Sequence, residues 1–199
     1  MSQLEFIFDF ASPNAYLSYK VIPEILSRTG ANLKISPVLL GGLFKLTGNQ
    51  PPMITFSEVK GKLDYETLEI QRFVTKHKLA RFKFNPHFPI NSILLMRGLF
   101  AAKKYDFEQI YLDSVLSAMW EQELKMDDPE IALSVWNDAG LDGTSIMEMA
   151  QEDEVKNMLK DATELAVTRG VFGIPTFFVG HEMFFGKERL GQVEEALQI

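Results

Sequence analysis

The chain has 199 residues, of which 46 % are hydrophobic and 24 % charged, the balance of an ordinary folded globular protein. Its net charge of −7 and the absence of a basic block argue against non-specific nucleic-acid binding, which needs clustered Lys and Arg to neutralise phosphates. With no cysteine at all, disulfides, thiolate metal sites and a protein-borne dithiol redox step are excluded together.

Leu4-Glu5-Phe6-Ile7-Phe8-Asp9-Phe10 alternates aromatic and other residues with period two and predicts a strand. Ile7 on the second face predicts a strand covered on both sides. Ser12-Pro13 opens a helix over 14–29, with Pro23 as an interruption or kink and Gly30 as its stop. A second strand follows over 33–38, and the connection predicts a right-handed crossover with parallel strands. From about 57 to 169 the pattern is helical throughout, with helices predicted near 57–78, 90–104, 106–123, 128–139, 143–150 and 152–169. Asp127-Asp128-Pro129 reads as a helix start. Thr176–Val179 and Glu182–Phe185, joined by Gly180-His181, predict a hairpin, and 187–199 a final amphipathic helix. The expected organisation is an α/β unit of residues 1–52 plus 170–199 carrying an inserted helical domain over 53–169. No apolar run approaches the roughly eighteen residues a membrane helix needs. The opening residues lack a basic leader, so a cytoplasmic protein is expected.

A strand, a turn, a helix and a distant Ile174-Pro175-Thr176 strand together outline a thioredoxin-type scaffold, and Ser12 stands where such a scaffold carries its nucleophilic sulfur. Capping alone explains a Ser-Pro helix start. The same geometry also suits a borrowed thiol. A free thiol of pKa about 8.5 is only about 3 % ionised at pH 7, and a helix N-terminus with a hydroxyl donor favours the thiolate. Ser12 is then a donor to sulfur, not a nucleophile, and the thiol is most simply glutathione. Ile174-Pro175 is either a proline opening an edge strand or a cis bond presenting backbone to an extended peptide. Asn49 lies in a polar turn, Gly48-Asn49-Gln50-Pro51-Pro52, and is a turn residue or a side-chain amide that orients glutathione or substrate. Lys62 is a solvated helix residue or a cation for a carboxylate. Glu188 favours the positive end of the last helix or takes an α-ammonium group. His77, His87 and His181 have no metal-ligand spacing, so no metal site is expected.

In order and spacing, Phe8-Asp9-Phe10-Ala11-Ser12-Pro13, Gly48–Pro52, Lys62–Tyr65, Phe88-Pro89-Ile90-Asn91-Ser92, Met96-Arg97, Ala118–Glu121, Val171–Thr176 and Gly186–Leu190 resemble the family of 2-hydroxychromene-2-carboxylate isomerases and kappa-class glutathione transferases. The resemblance covers nearly the whole chain. It implies a thioredoxin-like fold with a large all-helical insertion, a homodimer, and glutathione at the junction. It implies that Ser12 hydrogen-bonds the glutathione sulfur and that Asn49 and Lys62 contact glutathione or substrate. Ile174, before a cis Pro175, pairs with the cysteinyl part, and Glu188 holds the γ-glutamyl end. The chain departs from the family with Glu in place of Asp at 188, with Lys187 where a small or polar residue is usual, and with a longer stretch from Asn49 to Lys62 than in the kappa transferases. The expected activity is isomerisation of an unsaturated aromatic carboxylate by reversible thiolate addition. A transferase forming stable conjugates and a non-catalytic thiol- or peptide-binding module are the alternatives.

Overall fold

The aromatic alternation near the N-terminus builds the centre of the sheet. The computed structural model describes residues 2–198. Its strands are β1 (Gln3–Phe8), β2 (Asn32–Pro37), β3 (Thr176–Val179) and β4 (Glu182–Phe185), in the order β2-β1-β3-β4. β1 runs parallel to β2 with Phe6 opposite Ile35, and antiparallel to β3 with Phe6 opposite Phe177; β3 and β4 form the expected hairpin. Leu4, Phe6, Ile7 and Phe8 are all buried, so β1 is covered on both faces. The strand ends at Phe8, short of Phe10, because Asp9 turns the chain. Its carboxylate accepts the Ala11 N–H at 2.9 Å and its carbonyl accepts the Ser12 N–H at 3.2 Å.

The helices in chain order are α1 (Pro13–Thr29), α2 (Leu40–Thr47), α3 (Pro52–Thr55), α4 (Lys62–Lys76), α5 (Ile93–Lys104), α6 (Glu108–Trp120), α7 (Pro129–Asp138), α8 (Gly143–Met149), α9 (Asp153–Thr168) and α10 (Leu190–Leu197). α1 is a single helix through Pro23, because the burial of Tyr19, Val21, Ile22 and Ile25 around the proline offsets its missing hydrogen bond. Several elements differ from expectation, α3 among them, since Pro52–Thr55 lies where a turn was expected. α2 hides behind Gly41-Gly42, poor helix formers that let it approach α9 closely: a Cβ at Gly42 would lie 3.0 Å from the Thr163 methyl. α4 starts at Lys62, not near 57, because Gly61 at φ 78° breaks the backbone before it. The last helix begins as a 3-10 turn, Lys187–Arg189, before α10.

One core joins sheet and helices. Rings pass contact from Phe177 to Phe6 (5.1 Å), Phe8 (5.4 Å), Phe10 (4.9 Å), Tyr111 (6.0 Å) and Trp136 (5.7 Å). α10 packs on β3 and α1, while α5 and α9 pack on β2. Among the described residues no helix is long and apolar enough to cross a membrane.

At the other end of β1, Glu5 gathers Arg169 (2.8 Å), Ser36 (2.6 Å) and Lys34 (3.1 Å). Burial pushes its carboxyl upward, but these three donors outweigh burial and hold the pKa at about 2. A depressed carboxylate contributes stability that is complete above its unfolded pKa and is lost as pH falls through the folded value. Linkage gives up to about 3 kcal/mol, or about 2 after allowing for solvent around Lys34 and Arg169. Urea denaturation between pH 5 and pH 2 is therefore expected to show a steeper loss of stability for the wild type than for Glu5→Gln. Parallel curves would remove Glu5 as the acid-sensitive element.

Candidate active site

The turn after β1 delivers Ser12 to the N-cap of α1 in extended conformation (φ −94°, ψ 114°), with Pro13 in the first turn. Ser12 is 4 % exposed. Its Oγ accepts the Ala15 N–H at 3.1 Å and donates to the Ile174 carbonyl at 3.2 Å, across 162 residues of sequence. The hydroxyl thus performs the capping role and also reaches across to the chain entering β3. Ile174–Pro175 is cis, as is Phe88–Pro89.

Three anchors fix this turn. The Asp9 carboxylate is fully buried and accepts the Leu40 N–H at 2.7 Å as well as that of Ala11, tying the end of β1 to the start of α2. Burial raises its pKa, against the pull of the Leu40 and Ala11 N–H groups and the Ser92 hydroxyl. Trp120 Nε1–H donates to the Phe10 carbonyl at 2.9 Å. One helical turn beyond Ser12, the Tyr16 hydroxyl donates at 2.9 Å to Glu121, a buried carboxylate that also takes Lys20, Arg81 and the Ser117 hydroxyl. These anchors pin the start of α1 to α6.

The remaining candidates sit around Ile174–Pro175 at graded remove. Asn49 donates its amide N–H to the Phe172 carbonyl at 2.9 Å and accepts the Gln50 N–H with its oxygen, so it holds the loop after α2 against the segment before Pro175. The Pro175 carbonyl accepts the Gly186 N–H at 2.9 Å, which brings Lys187 and Glu188 beside the same segment. Gly186 has φ 95°, and a Cβ there would stand 3.0 Å from Glu188 Oε2. Glu188 Oε1 pairs with the ammonium of Lys187. Gly173 is held against the Phe185 ring, 2.8 Å from where its Cβ would be, and Phe172 and Phe185 meet at 4.6 Å with both rings part exposed. Lys62 stands apart. Its ammonium pairs with Glu66 at 2.5 Å and lies over Phe56 (5.0 Å) and Tyr65 (5.8 Å), with its pKa raised by the Glu66 hydrogen bond. Among the described residues no hydrogen bond joins it to Ser12, Asn49, Ile174 or Glu188.

Sequence reasoning gave Asp9 no role of its own and took Lys187 only as a departure from the family pattern. A carboxylate between two buried phenylalanines in Phe8-Asp9-Phe10 is a signal that such a residue has partners, because lone buried charges are costly. Nothing in the local pattern marks Lys187 as buried. Two grooves of about 460 and 470 Å³ open elsewhere, the first between α6 and α7, the second between α1, α4 and α10 with Lys187 and Glu188 at its edge; Ser12, Ile174 and Pro175 line neither. Among the described residues no group of three or more His, Asp or Glu side chains is placed to hold a metal ion.

The chain belongs to the DSBA-like thioredoxin domain family, whose model matches residues 3–198. It is similar to 2-hydroxychromene-2-carboxylate isomerase of Pseudomonas putida, 26 % identical over 196 residues, covering 98 % of this chain and 93 % of that one. Glutathione S-transferase kappa 1 of Rattus norvegicus is also 26 % identical, over 197 residues, covering 94 % and 87 %. A solved 2-hydroxychromene-2-carboxylate isomerase structure superposes with a TM-score of 0.84 at 25 % identity, covering 98 % of this chain and 94 % of that one. The fold is thioredoxin-like and of the DsbA type, with four strands and ten α-helices among the described residues.

Proposed function

We propose that this chain is a glutathione-dependent isomerase of an unsaturated aromatic carboxylate of the 2-hydroxychromene-2-carboxylate type, and that Ser12 holds the glutathione sulfur. The observation that carries the reading is the placement of Ser12. A buried hydroxyl at the N-terminus of a 17-residue helix meets the backbone of Ile174 before a cis proline, in a chain with no sulfur nucleophile of its own.

The residues present fit the tripeptide. Ser12 has one O–H to donate and an exchangeable acceptor in the Ile174 carbonyl, so the hydroxyl can turn to a sulfur without a new side chain being brought in. The end of α1 supplies the positive pole that favours an anion there. Ile174 offers extended backbone next to Pro175, and Asn49 and Glu188 flank it through Phe172 and Gly186. Glutathione bound there supplies a thiolate that adds reversibly to a conjugated double bond, allows rotation about it, and leaves unconsumed. The chain's part is electrostatic. Ser12 and the helix pole hold negative charge on sulfur, while Asn49 and Lys62 orient the substrate carboxylate. For Lys62 this requires release from Glu66, a half-buried pair of modest worth. The same reading takes the protein as a cytoplasmic homodimer.

The equal identity to a kappa transferase favours one second reading, formation of stable glutathione conjugates. Incubation with 2-hydroxychromene-2-carboxylate and substoichiometric glutathione separates the two. Isomerisation is expected to reach equilibrium with the thiol titre unchanged. Consumption of one thiol per turnover makes the protein a transferase, and no turnover with any electrophile leaves the non-catalytic module.

A further inference from the structure

We infer that Asp9 is the charge that tunes the thiol site: its carboxylate, held at the N-terminal poles of both α1 and α2, opposes negative charge on a sulfur at Ser12 and keeps that sulfur a stronger nucleophile than the α1 pole alone would leave it. The inference rests on the proposed placement of a thiol beside Ser12 and concerns what limits the stabilisation of its anion.

Asp9 is wholly buried and stands just before the Ser12 turn. Both of its side-chain oxygens accept backbone N–H groups, Oδ1 from Ala11 at 2.9 Å and Oδ2 from Leu40 at 2.7 Å, lengths typical of bonds to an ionised carboxylate. Leu40 opens α2, a helix with no side-chain cap and no acid in its own first turn. The Asp9 carbonyl takes the Ser12 N–H at 3.2 Å, which ties the residue to the N-cap of α1, a second helix with no acid in its first turn. Buried charges are ordinarily paired. Among the described residues no ion pair supplies Asp9 with a cation. Glu5, at the far end of β1, keeps Arg169 and Lys34; Lys20 of α1 goes to Glu121, and Lys103 of α5 to Glu108 and the Ile35 carbonyl. Lys45 of α2 is exposed, and neither it nor Arg97 of α5 is among the groups that shift the Asp9 carboxyl. Two helix poles, their N–H groups and the Ser92 hydroxyl take the place of a counter-ion.

A thiolate beside Ser12 draws on the same α1 pole. Two like charges at one pole oppose each other, and the surrounding protein screens them less than water does. Asp9 therefore raises the proton affinity of the sulfur that the pole and the Ser12 hydroxyl lower. The opposition has a chemical use. The intrinsic reactivity of a thiolate falls as its parent thiol grows more acidic, and the best attacking thiol has a pKa near the ambient pH. A pole left unopposed gives an abundant but sluggish thiolate. A pole shared with Asp9 gives one that is ionised and still reactive.

The chain has no cysteine, so Ser12→Cys places a single thiol at the N-cap of α1, and its ionisation is read as ultraviolet thiolate absorbance without any ligand. That thiol is expected to titrate below the free value of about 8.5. Adding Asp9→Asn is expected to lower its pKa further, by about one pH unit, the size of a like-charge effect across so short a turn. A role confined to holding the turn gives the opposite sign, because a loosened turn takes the sulfur away from the pole and returns its pKa toward about 8.5. A rise, or no change, overturns the inference. The unsubstituted chain supplies a second reading should the double variant not fold. The carbon-13 carboxyl shift of Asp9 is expected to be that of a carboxylate at neutral pH, and a protonated Asp9 there overturns the inference with no substitution made. Absence of heat with glutathione at millimolar concentration overturns the proposed function alone, because both readings on Asp9 are made without it.

Discussion

Ser12→Ala is expected to lower turnover about hundredfold while glutathione affinity stays within about threefold, the pattern of a lost donor that matters most when charge sits on the reacting atom. In the proposed site the hydroxyl contributes one hydrogen bond to a tripeptide also assigned to the Ile174 backbone and Glu188, so ground-state binding is expected to lose little. The thiolate loses its nearest donor, and its pKa moves back toward the free value of about 8.5. The sign of the pH effect follows. Raising the pH restores thiolate, so the turnover of the variant is expected to keep climbing above pH 8 after the wild type has levelled off. Ser12→Ala also removes the cap on Ala15 N–H at a cost of about 1 kcal/mol, which a melting curve measures separately. Ser12→Thr keeps the hydroxyl and should retain most of the activity. Wild-type turnover in Ser12→Ala would place the sulfur elsewhere.

The sequence made the scaffold legible because its signals are local. The phenylalanine alternation of β1, the Ser12-Pro13 start of α1, the Asp128-Pro129 start of α7 and the Gly180-His181 hairpin each follow from residue chemistry within a few positions. The meeting of Ser12 with Ile174 was also reachable, because a strand order that puts β3 beside β1 brings Pro175 to the start of α1. What stayed hidden depends on distant neighbours. α2 has the composition of a glycine-rich loop and is a helix because α9 receives it. Asn49 reads equally as a turn residue or a ligand contact until the Phe172 carbonyl appears beside it. Lys62 reads as a solvated helix residue or as a cation for a carboxylate, and in the structure it pairs with Glu66, one turn along α4. Lys187 has the sequence context of a solvated helix start and is nevertheless buried, with the Phe73 ring of α4 5.6 Å from its ammonium.

Trp120→Ala is expected to be the most destabilising single change near the site. Trp120 is fully buried at the end of α6, with Phe82, Phe84 and Phe88 rings at 6.2, 6.1 and 6.2 Å. Removing an indole from such a setting costs about 3–5 kcal/mol from lost burial and the cavity left behind. The Phe10 carbonyl would also lose its donor in a place water does not readily reach, adding about 1–3 kcal/mol. Against a total stability of about 5–15 kcal/mol for a typical domain, the variant is expected to be partly unfolded at 37 °C. Trp120→Phe separates the two contributions. Most of the ring volume stays, the N–H to Phe10 goes, and stability should fall by about 1–3 kcal/mol in urea denaturation. Because Phe10 is two residues from Ser12, the Phe variant should lose turnover more than it loses glutathione affinity: the turn that aims the hydroxyl is loosened while the Ile174 backbone, proposed to bind the peptide, is untouched. Equal loss in both would mean that the indole supports the core alone and that Asp9 suffices to hold the turn.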